Sequence, residues 1–209
     1  MTRYDSILFD LDGTLWDATD ATATGYNNAL SVLQVTGYDI TARIIKDICG
    51  LPFDECVQRV FSGLETADHG LLEATLDKEE KEAIELLGGE VFPDVLAGLP
   101  QLAEKYKLFL ISNCQDWYLD LFLDKFAVRQ YFHGLDCYGT SGVPKEQMIR
   151  NTVVGYSLKN SIYIGDTEGD MVSYRNGGVD FGYASYGFGS VQNAELSFDD
   201  FSHLLDCFL

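Results

Sequence analysis

Cationic residues are scarce in this chain. Lysine and arginine together number 14 against 33 aspartates and glutamates, giving a net charge of -19. A nucleic-acid backbone needs a concentrated basic surface, so nucleic acid is excluded as a partner. The same imbalance repels anionic substrates at long range, and any phosphate site must supply its own local positive charge. Long apolar runs are missing too. Ile7-Leu8-Phe9 is cut off at once by Asp10, too soon for a signal peptide, and no stretch approaches the length that spans a bilayer. His69, His133 and His203 are scattered without metal-ligand spacing. The five cysteines are widely spaced and form no CxxC pair, which reads as reduced, mostly buried thiols in a cytoplasmic protein. There is no internal repeat and no low-complexity tail.

What is present is a packed composition, 46% apolar and 13% aromatic over 209 residues, enough for one domain with a sizeable insertion. Short apolar runs at Ser6–Asp10, Lys107–Ser112, Gly134–Tyr138, Ser161–Gly165 and Val179–Ala184 predict strands. Helical patterns at Pro93–Lys105, Asp116–Lys125, Pro144–Tyr156 and Glu168–Asn176 lie among them. Strands alternating with helices predict an α/β fold with a doubly wound, Rossmann-like parallel sheet.

Between Leu15 and Gly89 the rhythm breaks. No good strand is visible there, while Tyr26, Ala29, Leu30 and Leu33, then Leu72, Leu76, Ala83, Leu86 and Leu87, follow helical spacing. The stretch is too long for one crossover helix. It predicts a small all-helical cap over residues 16–89, inserted after the first strand of a core made of residues 1–15 and 90–209, with Gly88-Gly89 as the return hinge. The acidic run Glu65–Glu90 reads as the solvated face of those helices.

In open α/β sheets, ligands gather beyond the carboxyl ends of the strands. There the sequence places Asp10 and Asp12 of "DLDGT", Ser112-Asn113 of "LISN", and Asp166 of "GDTEGD" with Asp170 one turn later. Lys145 of "GVPKEQM" precedes the fourth strand. An isolated D-x-D before glycine is an ordinary turn, and "GDTEGD" alone an ordinary capped helix start. Their joint order is what such readings leave unexplained. Two unit charges at roughly 4 Å interact by about 4 kcal/mol at an effective dielectric of 20, so clustered carboxylates call for a counter-ion. Oxygen-only ligands beside a phosphate suit a hard divalent cation, Mg²⁺ above all.

These four motifs, in this order, resemble the haloacid dehalogenase superfamily, specifically its phosphatases of the phosphoglycolate-phosphatase type, and the resemblance runs the length of the chain. It implies a Mg²⁺-dependent phosphomonoester hydrolase acting on a small phosphorylated metabolite. Asp10 would be the nucleophile that forms an aspartyl-phosphate, and Asp12 the acid–base. Ser112, Asn113 and Lys145 would hold phosphoryl oxygens. Asp10, the Asp12 main-chain carbonyl and Asp166 would bind the metal, with Asp170 ligating it or holding its waters. Asp12 speaks against a dehalogenase, which has no leaving alkoxide to protonate. A sugar-phosphate mutase and a catalytically silent binding protein of the same fold stay as alternatives. The mutase is disfavoured because "DATDATAT" lacks the early cap histidine of many mutases. Arg43, Lys46, Arg59 and Trp16 are candidate cap contacts, and "CGLPFDE" (Cys49–Glu55) is the loop expected to face the core. Trp16 stands where the family often continues differently, and its ring is expected to narrow the entrance. "YGFGS" (Tyr186–Ser190) is expected only to close the sheet edge.

Overall fold

The computed structural model describes residues 3–64 and 69–209. Part of the acidic run, residues 65–68, therefore lies outside the described residues. In chain order the elements are β1 (Ser6–Phe9), β2 (Trp16–Asp17), α1 (Thr19–Val32), α2 (Ala42–Lys46), α3 (Phe53–Val60), α4 (His69–Leu87), β3 (Glu90–Val91), α5 (Val95–Ala103) and β4 (Lys107–Ser112). Then follow α6 (Asp116–Lys125), β5 (Phe132–Cys137), α7 (Tyr138–Ser141), α8 (Lys145–Gly155), β6 (Ser161–Gly165), α9 (Glu168–Gly177), β7 (Asp180–Ala184), β8 (Ser197–Phe198) and α10 (Phe201–Phe208).

Six strands form one parallel sheet in the order β5-β4-β1-β6-β7-β8. β1 is central, and all four of its residues are buried. Because successive strand residues face opposite sides, Ile7 and Phe9 join the layer that holds α5, α6 and α10, while Leu8 joins the layer of α8 and α9. Burial on both faces is why these strands read as unbroken apolar runs. From β1 the chain builds outward through β4 to β5, and later through β6 to β7 and β8 on the other flank. The strand order thus reverses beside β1, which opens a crevice at the carboxyl ends of β1, β4 and β6.

Helices α1–α4 form a lobe inserted after β1, with its own apolar cluster of Tyr26, Ala29, Leu30, Ile45, Val57, Leu72 and Leu76. The lobe leaves and returns through two linkers that pair as an antiparallel ribbon, Trp16 opposite Val91 and Asp17 opposite Glu90. Gly88 ends α4 with a positive φ of 79°, and a Cβ on Gly89 would lie 2.8 Å from the Asp17 carbonyl oxygen.

Several sequence expectations need correction. The ribbon and the sixth strand, β8, are two residues per strand and carry no apolar run to announce them. β5 begins two residues earlier than predicted, at Phe132. Leu86 and Leu87 are not on the buried stripe of α4; they are 83% and 59% exposed. The acidic run is not all solvated, since Glu80 is only 5% exposed. Among the described residues, no helix is long and apolar enough to cross a membrane.

Candidate active site

Asp10 follows β1, and its N–H still donates to the Ile164 carbonyl at 2.9 Å, so the β1–β6 pairing carries it to the sheet edge. Asp166 follows β6. Asp170 lies in the first turn of α9, where a capping box with Thr167 fixes it. Its Oδ2 accepts from the Thr167 N–H at 3.1 Å and hydroxyl at 2.8 Å, and Thr167 Oγ1 in turn accepts from the Asp170 N–H. The ordinary capped-helix reading of "GDTEGD" is thus met, and the same cap fixes the Asp170 carboxylate beside the cluster.

Carboxylate oxygens of Asp10, Asp166 and Asp170 lie within 4.8 Å of one another, all buried. Lys145, at the start of α8, bridges two of them: its Nζ donates to Asp10 Oδ1 at 2.8 Å and to Asp170 Oδ1 at 2.7 Å. Burial by itself would lower the lysine's pKa, but the two carboxylates outweigh it and hold the pKa above the usual range. Burial raises the pKa of Asp10 well above the carboxylate norm. The Lys145 ammonium opposes that shift, and Asp170 and Asp166 reinforce it. Asp166 is pushed up to about 7, first by burial and then by Asp170. One lysine against three buried carboxylates leaves the cluster short of positive charge.

Two oxygens of the cluster, Asp10 Oδ2 and Asp166 Oδ1, are buried without a hydrogen-bond partner. Orphaned buried carboxylate oxygens are costly. Their convergence, with oxygen donors only, fits a hard divalent cation.

The structure separates the two aspartates of "DLDGT". Asp12 Oδ1 accepts from the Tyr118 hydroxyl at 2.5 Å and from Trp16 Nε1 at 3.2 Å. Burial lifts the Asp12 pKa to about 6, and these two donors restrain it. Gly13 makes the turn that follows Asp12, with φ of 75°, where a Cβ would collide with the Asp166 carboxylate. Trp16 does not narrow an entrance. It is fully buried, edge-on to Tyr118, Phe122 and Phe126, and serves to hold Asp12.

Ser112 and Asn113 follow from β4. Ser112 is buried, and its Oγ accepts from the Cys114 N–H at 3.3 Å. Asn113 Nδ2 donates to the Gly50 carbonyl at 2.7 Å, which ties the sheet edge to the Cys49–Glu55 loop of the helical lobe, while its Oδ1 is buried and unpaired. Between the lobes lies a cavity of about 60 Å³ lined by Asp10, Asp12, Ser112 and Asn113 below and by Thr22, Tyr26, Gly50 and Glu80 above. Lys145 does not line this cavity. It touches Asp10 from the side and faces a neighbouring hollow. Of the suggested cap contacts, Arg43 pairs with Asp47, Lys46 with Asp17, and Arg59 is exposed; none reaches the cavity.

Sequence reasoning missed four contributors. Phe188 and Gly189 donate backbone N–H bonds to Asp166 Oδ2 at 2.7 and 3.2 Å, so the "YGFGS" loop orients a site carboxylate rather than merely closing an edge. Backbone donors carry no residue signature, although the paired glycines were the visible clue. Tyr118, on α6, had no local signal. Glu80 did: Leu72, Leu76, Glu80 and Ile84 share one i,i+4 stripe of α4, and all four are buried.

The site joins carboxylates at the ends of β1 and β6 and in the first turn of α9 to one buried lysine. The model of the haloacid dehalogenase-like hydrolases matches residues 7–184. The chain belongs to that family and is an enzyme of its phosphatase class. It is similar to the phosphoglycolate phosphatase of Psychrobacter arcticus, 28% identical over 97% of this chain and 95% of that protein. It is also similar to a 5'-nucleotidase of Pseudomonas aeruginosa, 27% identical over 90% of this chain and 86% of that one. A haloacid dehalogenase-like hydrolase of Streptococcus pneumoniae shares the fold with a TM-score of 0.80 at 21% identity, each chain covered in full.

Proposed function

We propose that this chain hydrolyses phosphomonoesters of small metabolites through an aspartyl-phosphate on Asp10, with residues 16–89 as a cap over the core of 1–15 and 90–209. The observation that carries the reading is the buried cluster of Asp10, Asp166, Asp170 and Lys145, with its two unpartnered carboxylate oxygens. Asp10, Asp166, Asp170 and the Asp12 main-chain carbonyl would hold Mg²⁺. The ion supplies charge neutralisation between the carboxylate nucleophile and the phosphoryl group.

The chain's own residues do the rest. Asp10 attacks phosphorus through its carboxylate, and the P–O bond to the leaving alcohol breaks. Asp12, with its pKa of about 6 and its orientation fixed by Tyr118 and Trp16, hands a proton to the leaving oxygen. It then takes one from the water that cleaves the acyl phosphate. Ser112 and Asn113 bind phosphoryl oxygens, and Lys145 supports Asp10 and the charge that spreads over the phosphoryl group. The cap excludes water and encloses a small leaving group, in keeping with a cytoplasmic metabolite as substrate. Purified chain should hydrolyse 4-nitrophenyl phosphate in Mg²⁺ and lose that activity in EDTA. Asp10→Asn should lower kcat by about 10³-fold or more; equal rates in parent and variant overturn the reading.

A further inference from the structure

The far wall of the cavity carries a feature that the chemistry at Asp10 does not use. Glu80 projects from α4 into the space facing Asp12, and its Oε2 accepts from Gln115 Nε2 at 3.0 Å, across the boundary between the lobes. Thr22 on α1 is a second hydrogen-bond partner. Glu80 is held in place from behind as well. A Cβ on Gly25 would come within 2.5 Å of the Glu80 Cα, so α1 and α4 touch backbone to backbone at this point. A buried carboxylate is costly without a cation, and here the partners are an amide and a hydroxyl. Among the described residues, no lysine, arginine or histidine lines the cavity.

Resting on the phosphatase reading above, we infer that Glu80, clamped by Gln115 and Thr22, selects the leaving group: once ionised, it accepts a hydrogen bond from a hydroxyl of an uncharged alcohol and turns away leaving groups that carry a carboxylate. A phosphorylated 2-hydroxy acid would bring its own carboxylate against Glu80 and Asp12 with no cation to meet it. An uncharged hydroxyl in the same place satisfies Glu80 as a donor and can accept from the Gln115 amide. The chain is thus a phosphatase for hydroxyl-bearing esters, polyol or sugar phosphates, although relatives carry the name phosphoglycolate phosphatase.

A matched pair of esters tests this. 2-Phosphoglycolate and 2-hydroxyethyl phosphate differ only in replacing a carboxylate by a hydroxymethyl group. Each is measured in Mg²⁺ at pH 9, above the value of about 8 to which burial pushes Glu80, by kcat/KM and by inhibition of 4-nitrophenyl phosphate hydrolysis. The parent should favour 2-hydroxyethyl phosphate by about tenfold or more. Glu80→Gln, which keeps shape and hydrogen bonding but removes the charge, should shrink that ratio by raising activity on 2-phosphoglycolate. Gln115→Met, which releases Glu80 from the core side without altering the helical lobe, should shrink it too. A purely structural Glu80 would change both esters alike and leave the ratio untouched. Equal use of the two esters, preference for 2-phosphoglycolate, or a ratio unmoved by both variants overturns the inference alone. Absence of any Asp10-dependent hydrolysis of 4-nitrophenyl phosphate overturns the phosphatase reading itself.

Discussion

Glu80 is a buried carboxylate and Asp12 a half-buried one, and their surroundings differ. Asp12 meets two donors, Tyr118 and Trp16, and its pKa rises only to about 6. Glu80 is pushed up to about 8, chiefly by burial, against the hydrogen bonds from Gln115 and Thr22. The titratable groups that feel it are Asp12 beyond β1, Asp77 on its own helix, Tyr26 on α1, Cys56 on α3 and Tyr118 on α6, none of them cationic. A folded-state pKa above the ordinary 4.5 means that the folded chain holds a proton the unfolded chain has released. Stability from this group is therefore full below about 4.5 and lost as pH rises through about 8. Glu80→Gln has no proton to lose. Relative to the parent, its stability in urea should improve steadily from pH 5 to pH 8, by a few kcal/mol in all. A difference that stays flat across that range would show that Glu80 is not desolvated in the folded chain.

At the scale of elements, short connections rather than long helices finish the site. The loop after β7 donates Phe188 and Gly189 N–H groups to Asp166, and the Phe188 ring lies under Lys46 Nζ of the helical lobe, 4.9 Å from its centroid. Lys46 also pairs with Asp17 of the linker ribbon at 2.7 Å. A Cβ on Gly189 would sit 2.5 Å from the Asp166 carbonyl oxygen, so Gly189→Ala forces the loop to move. Losing an outer partner of a carboxylate proposed to hold Mg²⁺ should raise the Mg²⁺ concentration for half-maximal activity by about 10- to 100-fold, with little change in Tm. An unaltered Mg²⁺ requirement would remove the loop from the site. This division also explains what the sequence could tell. The ends of β1, β4 and β6 were legible because an apolar run buried on both faces stops abruptly at Asp10, Ser112 and Asp166. The paired linkers, β8 and the Asp166 loop were not, because backbone hydrogen bonds form them and no side-chain pattern marks such bonds. Glu80 was misread because its charge was weighed above its phase on α4, while Leu72 and Leu76 on the same stripe already pointed inward.

Over the whole molecule, the excess of negative charge acts on substrates as well as on the fold. A chain of net charge -19 that receives a phosphate ester works against its own long-range field. Raising ionic strength from about 10 to about 150 mM shortens the screening length from roughly 30 to 8 Å. At fixed free Mg²⁺, kcat/KM for an anionic ester should rise over that range; a fall would mean that an attractive local field dominates encounter. The lobes meet where Asn113 holds Gly50 and Gln115 holds Glu80, so the chemistry proposed for one side and the selection proposed for the other share one small cavity. Everything proposed for that space depends on Asp10 acting as the nucleophile. The most direct measurement is to mix the chain with Mg²⁺ and substrate, quench in acid within the first turnovers, and map phosphorylated peptides by mass spectrometry. A single phosphoryl group on Asp10, labile to hydroxylamine and missing in Asp10→Asn, is the expected result. Rapid turnover with Asp10 never phosphorylated at any quench time, or a phosphoryl group on another residue, would contradict it.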